Sequence, residues 1–228
     1  MEQKKIIIFG VSQLASLAHF YFKYDSPHAV VAFTVDKDYI QADTFEGLPV
    51  VPFEDIEKLY STEEYYMFLP ISFKQMSHLR REKYEAAKAK GYKCVSYVSS
   101  KATTWPDLNI GENCFIFEDN TIQPYVKIGN NCVLWSGNHI GHHTEIKDHV
   151  FLTSHVVISG CCVVEENSFF GVNSTVRDET IIGKETLVGM GAIITKDTPE
   201  GSIWIGAKST QRESKSNQID SISHKTNG

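Results

Sequence analysis

The chain has 228 residues, 42% of them apolar and 22% charged, with a formal net charge of −6, which fits a globular protein of one large domain or two modest ones. With no long basic tract, this balance argues against nucleic acid as the main partner. The longest apolar runs, such as Ile6-Ile7-Ile8-Phe9, fall far short of the roughly 18 residues of a membrane span, and the Met1–Lys5 start lacks the apolar stretch and cleavage site of a signal peptide, so a cytoplasmic location is expected.

Residues 1–98 alternate strand and helix signals. Lys5–Gly10 is a predicted buried strand, followed by a helix from about Ser12 to Lys23 and a second strand over His28–Asp36. A short extended piece follows at Gly47–Val51, then a predicted helix over Phe53–Tyr60 and a strand over Tyr65–Ile71. Met76–Lys90 is a basic amphipathic helix ended by Gly91, and Cys94–Val98 is the last predicted strand. This order implies an α/β, Rossmann-like domain with a small parallel sheet. A ligand there is expected at the carboxyl ends of the strands, near Gly10 and Asp36.

From Ile110 to Ile194 the pattern changes. A large apolar residue stands at every sixth position, fifteen times without a slip, from Ile110, Ile116, Ile122 and Ile128 through to Val188 and Ile194. Four places beyond each, the residue is usually small or β-branched, as at Cys114, Thr144 and Ser168. A period of six fits neither an α-helix nor a plain alternating strand; it predicts a hexapeptide solenoid, a parallel β-helix over residues 99–206. Trp105-Pro106 is read as its entrance, Asp197–Gly201 as a turn and Ser202–Gly206 as a closing strand. Residues 207–228 are polar, and are expected to be a loose tail or a short capping helix.

Five cysteines occur without a Cys-x-x-Cys pair. Cys114 and Cys132 are separated by three hexapeptides and are read as stacked core fillers if three hexapeptides make one coil. At least one of Cys161 and Cys162 should face inward, and neither metal nor disulfide use is expected. The histidines His139, His142, His143 and His149 crowd into eleven positions, with His155 six further on. Three readings compete for this cluster. Solvated corner histidines would suit His149 and His143. A zinc site, of the kind that gamma-type carbonic anhydrases share across subunits, would need a histidine spacing that is absent here. The third reading is a general base at His142, which stands two places past inward Ile140 and so near a corner. Three hexapeptides further on, one coil above it, stands Gly160. An imidazole can take a proton from an attacking amine or hydroxyl near neutral pH, and a bare backbone N–H one coil away can hold the oxyanion of acyl transfer. By the same arithmetic Asn120 and Asn138 form an inward asparagine stack.

The stretches Trp135–His143, Ser154–Gly160, Phe170–Ser174 and Gly189–Ala192, behind a small sheet domain, resemble the bacterial sugar O-/N-acetyltransferases of the sialic-acid O-acetyltransferase (NeuD/PglD) type. The resemblance covers nearly the whole chain. It implies a left-handed parallel β-helix of hexapeptide repeats, a homotrimer with sites at subunit interfaces, and acetyl-CoA as cosubstrate with no metal. It matches the catalytic histidine to His142 and the oxyanion glycine to Gly160. It also implies acetyl-CoA contacts near Gly171, Gly189, Gly191 and Ala192, and contacts to a nucleotide-linked sugar near Gly10, Ser12, Asp36 and Lys37. Two departures stand out. The glutamate that follows the histidine in well-known members is His143 here, leaving Asn138, His139 or Glu145 as candidates to orient the ring, or an amine that arrives already neutral. The first turn, Gly10-Val11-Ser12-Gln13-Leu14-Ala15, keeps only its first glycine.

The expected function is acetyl-CoA-dependent N-acetylation of a nucleotide-linked amino sugar in surface glycan (O-antigen, capsule or lipopolysaccharide) synthesis, with three domains at 1–98, 99–206 and 207–228. O-acetylation of a sugar or sialic acid is the alternative. A metal-dependent lyase and a non-catalytic trimeric scaffold are the alternatives of other classes. Trimerisation is also expected from outward apolar residues of the prism, among them Trp135, Phe151 and Phe169.

Overall fold

A computed structural model describes residues 3–211 together with residues 213, 215 and 216. The tail expected over 207–228 falls outside the described residues from 217 onward, and 207–211 are exposed.

The amino-terminal part is a sheet of β1 (Lys5–Phe9), β2 (Ala29–Val35), β3 (Thr44–Phe45), β4 (Leu48–Pro52), β5 (Tyr65–Phe68) and β6 (Lys93–Cys94), with helices α1 (Gln13–Asp25) and α2 (His78–Ala89). Its order is β3-β4-β2-β1-β5-β6, parallel except for the β3–β4 hairpin. The chain runs outward from β1 through β2 to β4 and then crosses to β5 on the other side. The strand order therefore reverses between β1 and β5, which is where open α/β sheets hold ligands. Two expectations are corrected here. The helix read over Phe53–Tyr60 is only a single 3-10 turn, Ile56–Lys58, in which Ile56 alone is buried. Helix α2 begins at His78 instead of Met76, because Gln75, Met76 and Ser77 all have positive φ.

The solenoid is a left-handed parallel β-helix with three faces of two-residue strands. The first face has seven strands, from β7 (Tyr97–Val98) through Phe115–Ile116, Val133–Leu134, Phe151–Leu152, Phe169–Phe170 and Leu187–Val188 to Ile203–Trp204. The second face carries His139–Ile140 and Val157–Ile158, and the third carries Glu145–Ile146 and Val163–Val164. Register is uniform at three hexapeptides per coil, as in Ile122↔Ile140 and Ile140↔Ile158. The six-residue series points inward throughout the core, with Cys114, Cys132 and Cys162 stacked among it. The third residue after each inward one occupies the left-handed region at a corner, from Asn113 to Gly191 without interruption. Asn, Asp and Gly tolerate that conformation best.

The coil also begins earlier than expected. The single strand predicted over Cys94–Val98 splits at Val95. Lys93–Cys94 pairs with β5, while Tyr97–Val98 pairs with Phe115–Ile116, so the first rung precedes Trp105. The asparagine stack does not bond to itself either. Asn120 Nδ2 donates to the carbonyls of Phe117 and Trp135, each at 2.9 Å, and Asn138 Nδ2 donates to the Trp135 carbonyl.

The α/β domain sits on the first face. Phe115, Phe117, Val133 and Phe151 form one core with Ile6, Phe22, Phe33 and Phe68, and Trp135 stacks on Phe117 with centroids 4.6 Å apart. Phe169 packs on Phe73 at 4.5 Å. Trp135, Phe151 and Phe169 are thus covered within the chain, and they do not carry the argument for a trimer. An outward apolar residue reads the same whether its own chain or a neighbour covers it.

The corner between the third and first faces is tied to the domain by polar contacts. Asn113 Oδ1 accepts from the Leu69 N–H at 2.8 Å and Asn167 Nδ2 donates to the Met76 carbonyl at 2.9 Å, while within the corner itself Asn131 is 2.9 Å from His149 Nδ1. Arg80, wholly buried, donates to the carbonyls of His149 and Val150. His149 is therefore not the solvated histidine expected. It is 5% exposed, and burial pushes its pKa down from 6.5 to about 4. A histidine whose folded pKa is depressed is protonated more readily when unfolded, so its contribution to stability is lost as pH falls from about 6.5 towards 4. Replacing His149 with Asn extends the asparagine column and should flatten the acid limb of a plot of thermal midpoint against pH. An unchanged slope would show that His149 does not control that limb.

Candidate active site

The corner between the second and third faces carries Pro124-Tyr125, His142-His143, Gly160-Cys161 and Asp178-Glu179 on successive coils. Backbone bonds lock the column: the Cys161 N–H donates to the His142 carbonyl at 2.8 Å and the Glu179 N–H to the Gly160 carbonyl at 2.9 Å. His142 is exposed, and its own N–H donates to Gln123 Oε1 at 2.8 Å. Its ring lies over the bare Cα of Gly160: a Cβ built there would come within 2.8 Å of Cε1 and 2.9 Å of Nε2.

The ring is held from its other nitrogen. His142 Nδ1 lies 3.1 Å from His143 Nδ1. If His142 donates its Nδ1 proton to an unprotonated His143 Nδ1, its Nε2 is left free to accept a proton. The His143 ring rests in turn on Tyr125 at 4.7 Å. His143 thus stands in the place that the resemblance gives to a glutamate. The other candidates for orienting the ring are engaged elsewhere or face another way. Asn138 is buried and accepts from the Val156 N–H at 2.8 Å, Glu145 pairs with Lys147 at 2.9 Å, and His139 occupies an outward strand position on the second face.

The Gly160 N–H also has a partner the sequence reading did not provide. It donates to Asp178 Oδ1 at 2.9 Å, so the amide expected to be vacant is already bonded to an exposed carboxylate one coil on.

Gly171, Gly189, Gly191 and Ala192 lie at the opposite side of the second face, near its corner with the first. A Cβ on Gly171 would overlap the backbone of Met190, and one on Gly189 would come within 3.0 Å of the Trp204 carbonyl oxygen. Gly191 turns the corner at φ 66°, and Ala192 points into the core. Coil packing alone thus accounts for a small residue at each of these places.

In the α/β domain, Gly10, Ser12 and Asp36 line one cavity of about 630 Å³ at the β1/β5 reversal, together with Gln13, Lys74 and Lys83. Gly10 leaves β1 at φ 105°, a conformation that suits glycine. The Ser12 hydroxyl caps α1 by accepting from the Ala15 N–H at 3.4 Å. Asp36 pairs with Lys83 at 2.8 Å. Lys37 is not among the lining residues, and its N–H donates to Glu54. A second cavity of about 520 Å³ shares Gln13, Leu14 and Ser72 with the first and continues along Phe73, Trp135, Phe151 and Thr153 on the solenoid.

Sequence reasoning missed His143 as the ring partner, Cys161 beside it and the two pocket lysines. A signal for the first two existed. Tyr125, His143 and Cys161 occupy left-handed corner seats at φ 66°, 59° and 58°, which the repeat elsewhere fills with Asn113, Asn131 and Asn173 but also with His149, His155, Glu179 and Glu185. Non-glycine residues held there at a backbone cost often mark function.

Residues 107–142 and 125–160 match the family described as bacterial transferase hexapeptide (six repeats), and 162–196 match the hexapeptide repeat of succinyl-transferase. Among curated proteins, gamma carbonic anhydrase 1, mitochondrial, of Arabidopsis thaliana is 34% identical over 67 residues. That stretch is 28% of this chain and only 24% of the relative. A histidine-to-asparagine mutant of perosamine N-acetyltransferase from Caulobacter crescentus, in complex with CoA and GDP-perosamine, is similar in structure. Its TM-score is 0.80 at 22% identity, covering 89% of this chain and 93% of that one. The acetyltransferase domain of PglB from Neisseria gonorrhoeae, in complex with acetyl coenzyme A, gives 0.76 at 20% identity, covering 90% and 97%. At these identities the likeness is one of fold: an α/β domain followed by a hexapeptide β-helix. Among the described residues, no helix is long and apolar enough to cross a membrane.

Proposed function

We propose that this protein transfers an acetyl group from acetyl-CoA to the amino group of a nucleotide-linked sugar, with His142 as general base. The observation that carries the reading is an exposed imidazole seated over a bare glycine, with its Nδ1 3.1 Å from His143 Nδ1; in the tautomer that donates to His143, Nε2 is free to receive a proton. The sugar amine attacks the thioester carbonyl and gives its proton to His142 Nε2; as the tetrahedral intermediate collapses and the C–S bond breaks, that proton passes to the sulfur and CoA leaves as the thiol. The Gly160 N–H meets the oxyanion when the exposed Asp178 carboxylate turns to solvent. The cavity at the β1/β5 reversal, with Lys74, Lys83 and Asp36 on its wall, takes the nucleotide. The similar proteins seen with CoA and GDP-perosamine, or with acetyl coenzyme A, support this choice of substrates.

The triangular coil separates these parts. The α/β domain covers the first face, whereas His142 stands on the corner opposite that face. One chain therefore presents its nucleotide cavity and its base on different sides, and a neighbour in a trimer brings them together. Outward apolar residues of the second face, Val157 and Ile193 (72% exposed), suit such an interface.

The direct test is thiol release from acetyl-CoA against a panel of nucleotide-linked amino sugars and plain sugars. No release with any amine acceptor would end this reading. The shared site has its own test. His142→Ala and Asp36→Ala chains, each weak alone, should regain activity when co-expressed, since about one quarter of randomly assembled interfaces pair an intact corner with an intact cavity. No recovery in mixed assemblies would place both groups in one chain.

A further inference from the structure

The corner that carries His142 also holds a three-residue donor set, of which Cys161 has no part in acetyl transfer. His142, His143 and Cys161 each offer one ligand atom, and the three atoms lie within 4.8 Å of one another. The two Nδ1 atoms are 3.1 Å apart, and Cys161 Sγ is 3.9 Å from His142 Nδ1. Tetrahedral zinc, with Zn–N of about 2.05 Å and Zn–S of about 2.3 Å, needs N···N of about 3.3 Å and N···S of about 3.6 Å. The two separations to His142 depart from these by a few tenths of an ångström, and the His143–Cys161 pair, within 4.8 Å, closes by rotation of the exposed side chains. All three side chains are exposed, so an ion can enter and a fourth position remains open to water.

The backbone builds this arrangement. His143 and Cys161 occupy equivalent left-handed seats one coil apart, which sends both side chains out of the same corner, and His142 precedes the first of them. All three ligands come from one chain, within the single stretch from His142 to Cys161, so the set does not depend on assembly.

We propose that His142, His143 and Cys161 form an inhibitory zinc site. Zinc on His142 Nδ1 moves the ring's remaining proton to Nε2, the atom that must accept a proton from the substrate. Cys161 binds as the thiolate and releases one proton to solvent, and His143 binds through Nδ1 while keeping its proton on Nε2. Metal occupancy and base catalysis are then mutually exclusive at His142. The inhibitory part rests on the role given to His142 under the proposed function; the site itself does not.

The test uses the full chain, stripped with chelator, and the conservative variant Cys161→Ser. Zinc affinity is read by competition with a chromophoric chelator, and sulfur ligation by the thiolate-to-metal absorption of a cobalt(II) substitute. The expected result is one zinc per chain, acetylation that falls as zinc rises and returns on chelation, and a thiolate–cobalt band. Cys161→Ser should keep its metal-free turnover, lose the band and bind zinc at least about tenfold more weakly. No zinc uptake by the unmodified chain, or equal affinity in the variant, overturns the site. Tight, Cys161-dependent zinc binding without loss of acetylation overturns the inhibition. If zinc binds in this way but the metal-free chain never acetylates any amine, the site holds and the proposed function fails.

Discussion

Replacing His142 with alanine should lower turnover of amine acetylation by about 10²–10⁴, with acetyl-CoA still binding. The ring is exposed and contributes nothing to the buried core, so its removal leaves the coil folded. Its backbone contacts, to Gln123 and from Cys161, do not involve the side chain. The measurement is kcat on the best acceptor, with the thermal midpoint and acetyl-CoA affinity as controls. A wild-type kcat in the variant would remove His142 from the chemistry. A hydroxyl acceptor should suffer more than an amine, because an amine can arrive already neutral whereas a hydroxyl must be relieved of a strongly held proton.

Gly160→Ala should lower kcat by about 10²-fold with little change in thermal stability. The new Cβ would stand 2.8–2.9 Å from two ring atoms of His142, closer than carbon and nitrogen tolerate. The backbone there is fixed by ladder bonds on both sides, whereas the ring is free to swing into solvent, so the ring yields and leaves its position. Since both changes act through one side chain, the double variant His142→Ala, Gly160→Ala should lose no more than His142→Ala alone. Additive losses would mean that Gly160 works through something other than the ring, with its amide as the first suspect.

The coil was legible because its period is enforced by geometry. Each inward seat recurs at every sixth position, and a mismatch would open a void or bury a polar group. Stepping on by one coil paired His142 with Gly160 correctly, and the same step again gives Asp178, the partner of the Gly160 amide, which went unused. The α/β elements were legible except where length decided the matter: Phe53–Tyr60 has one buried anchor, too little to hold more than a turn. The aromatic first face was misread because outward burial carries no sign of which chain supplies the cover. His149 was misread because a corner histidine in solvent and one under α2 have the same spacing. The pairing of His143 with His142 turns on ring orientation at a left-handed corner, which a periodicity does not encode.

The seam beneath α2 limits how the molecule can work. Arg80 grips two solenoid carbonyls from a fully buried seat 5.4 Å from the centre of the Phe151 ring, and the aromatic side chains of both parts share one core. Swinging the α/β part away from the coil would break the two guanidinium–carbonyl bonds and strip the rings from one another. A clamshell opening between the two parts would have to break this shared core. The α/β part and the coil should therefore unfold in a single transition.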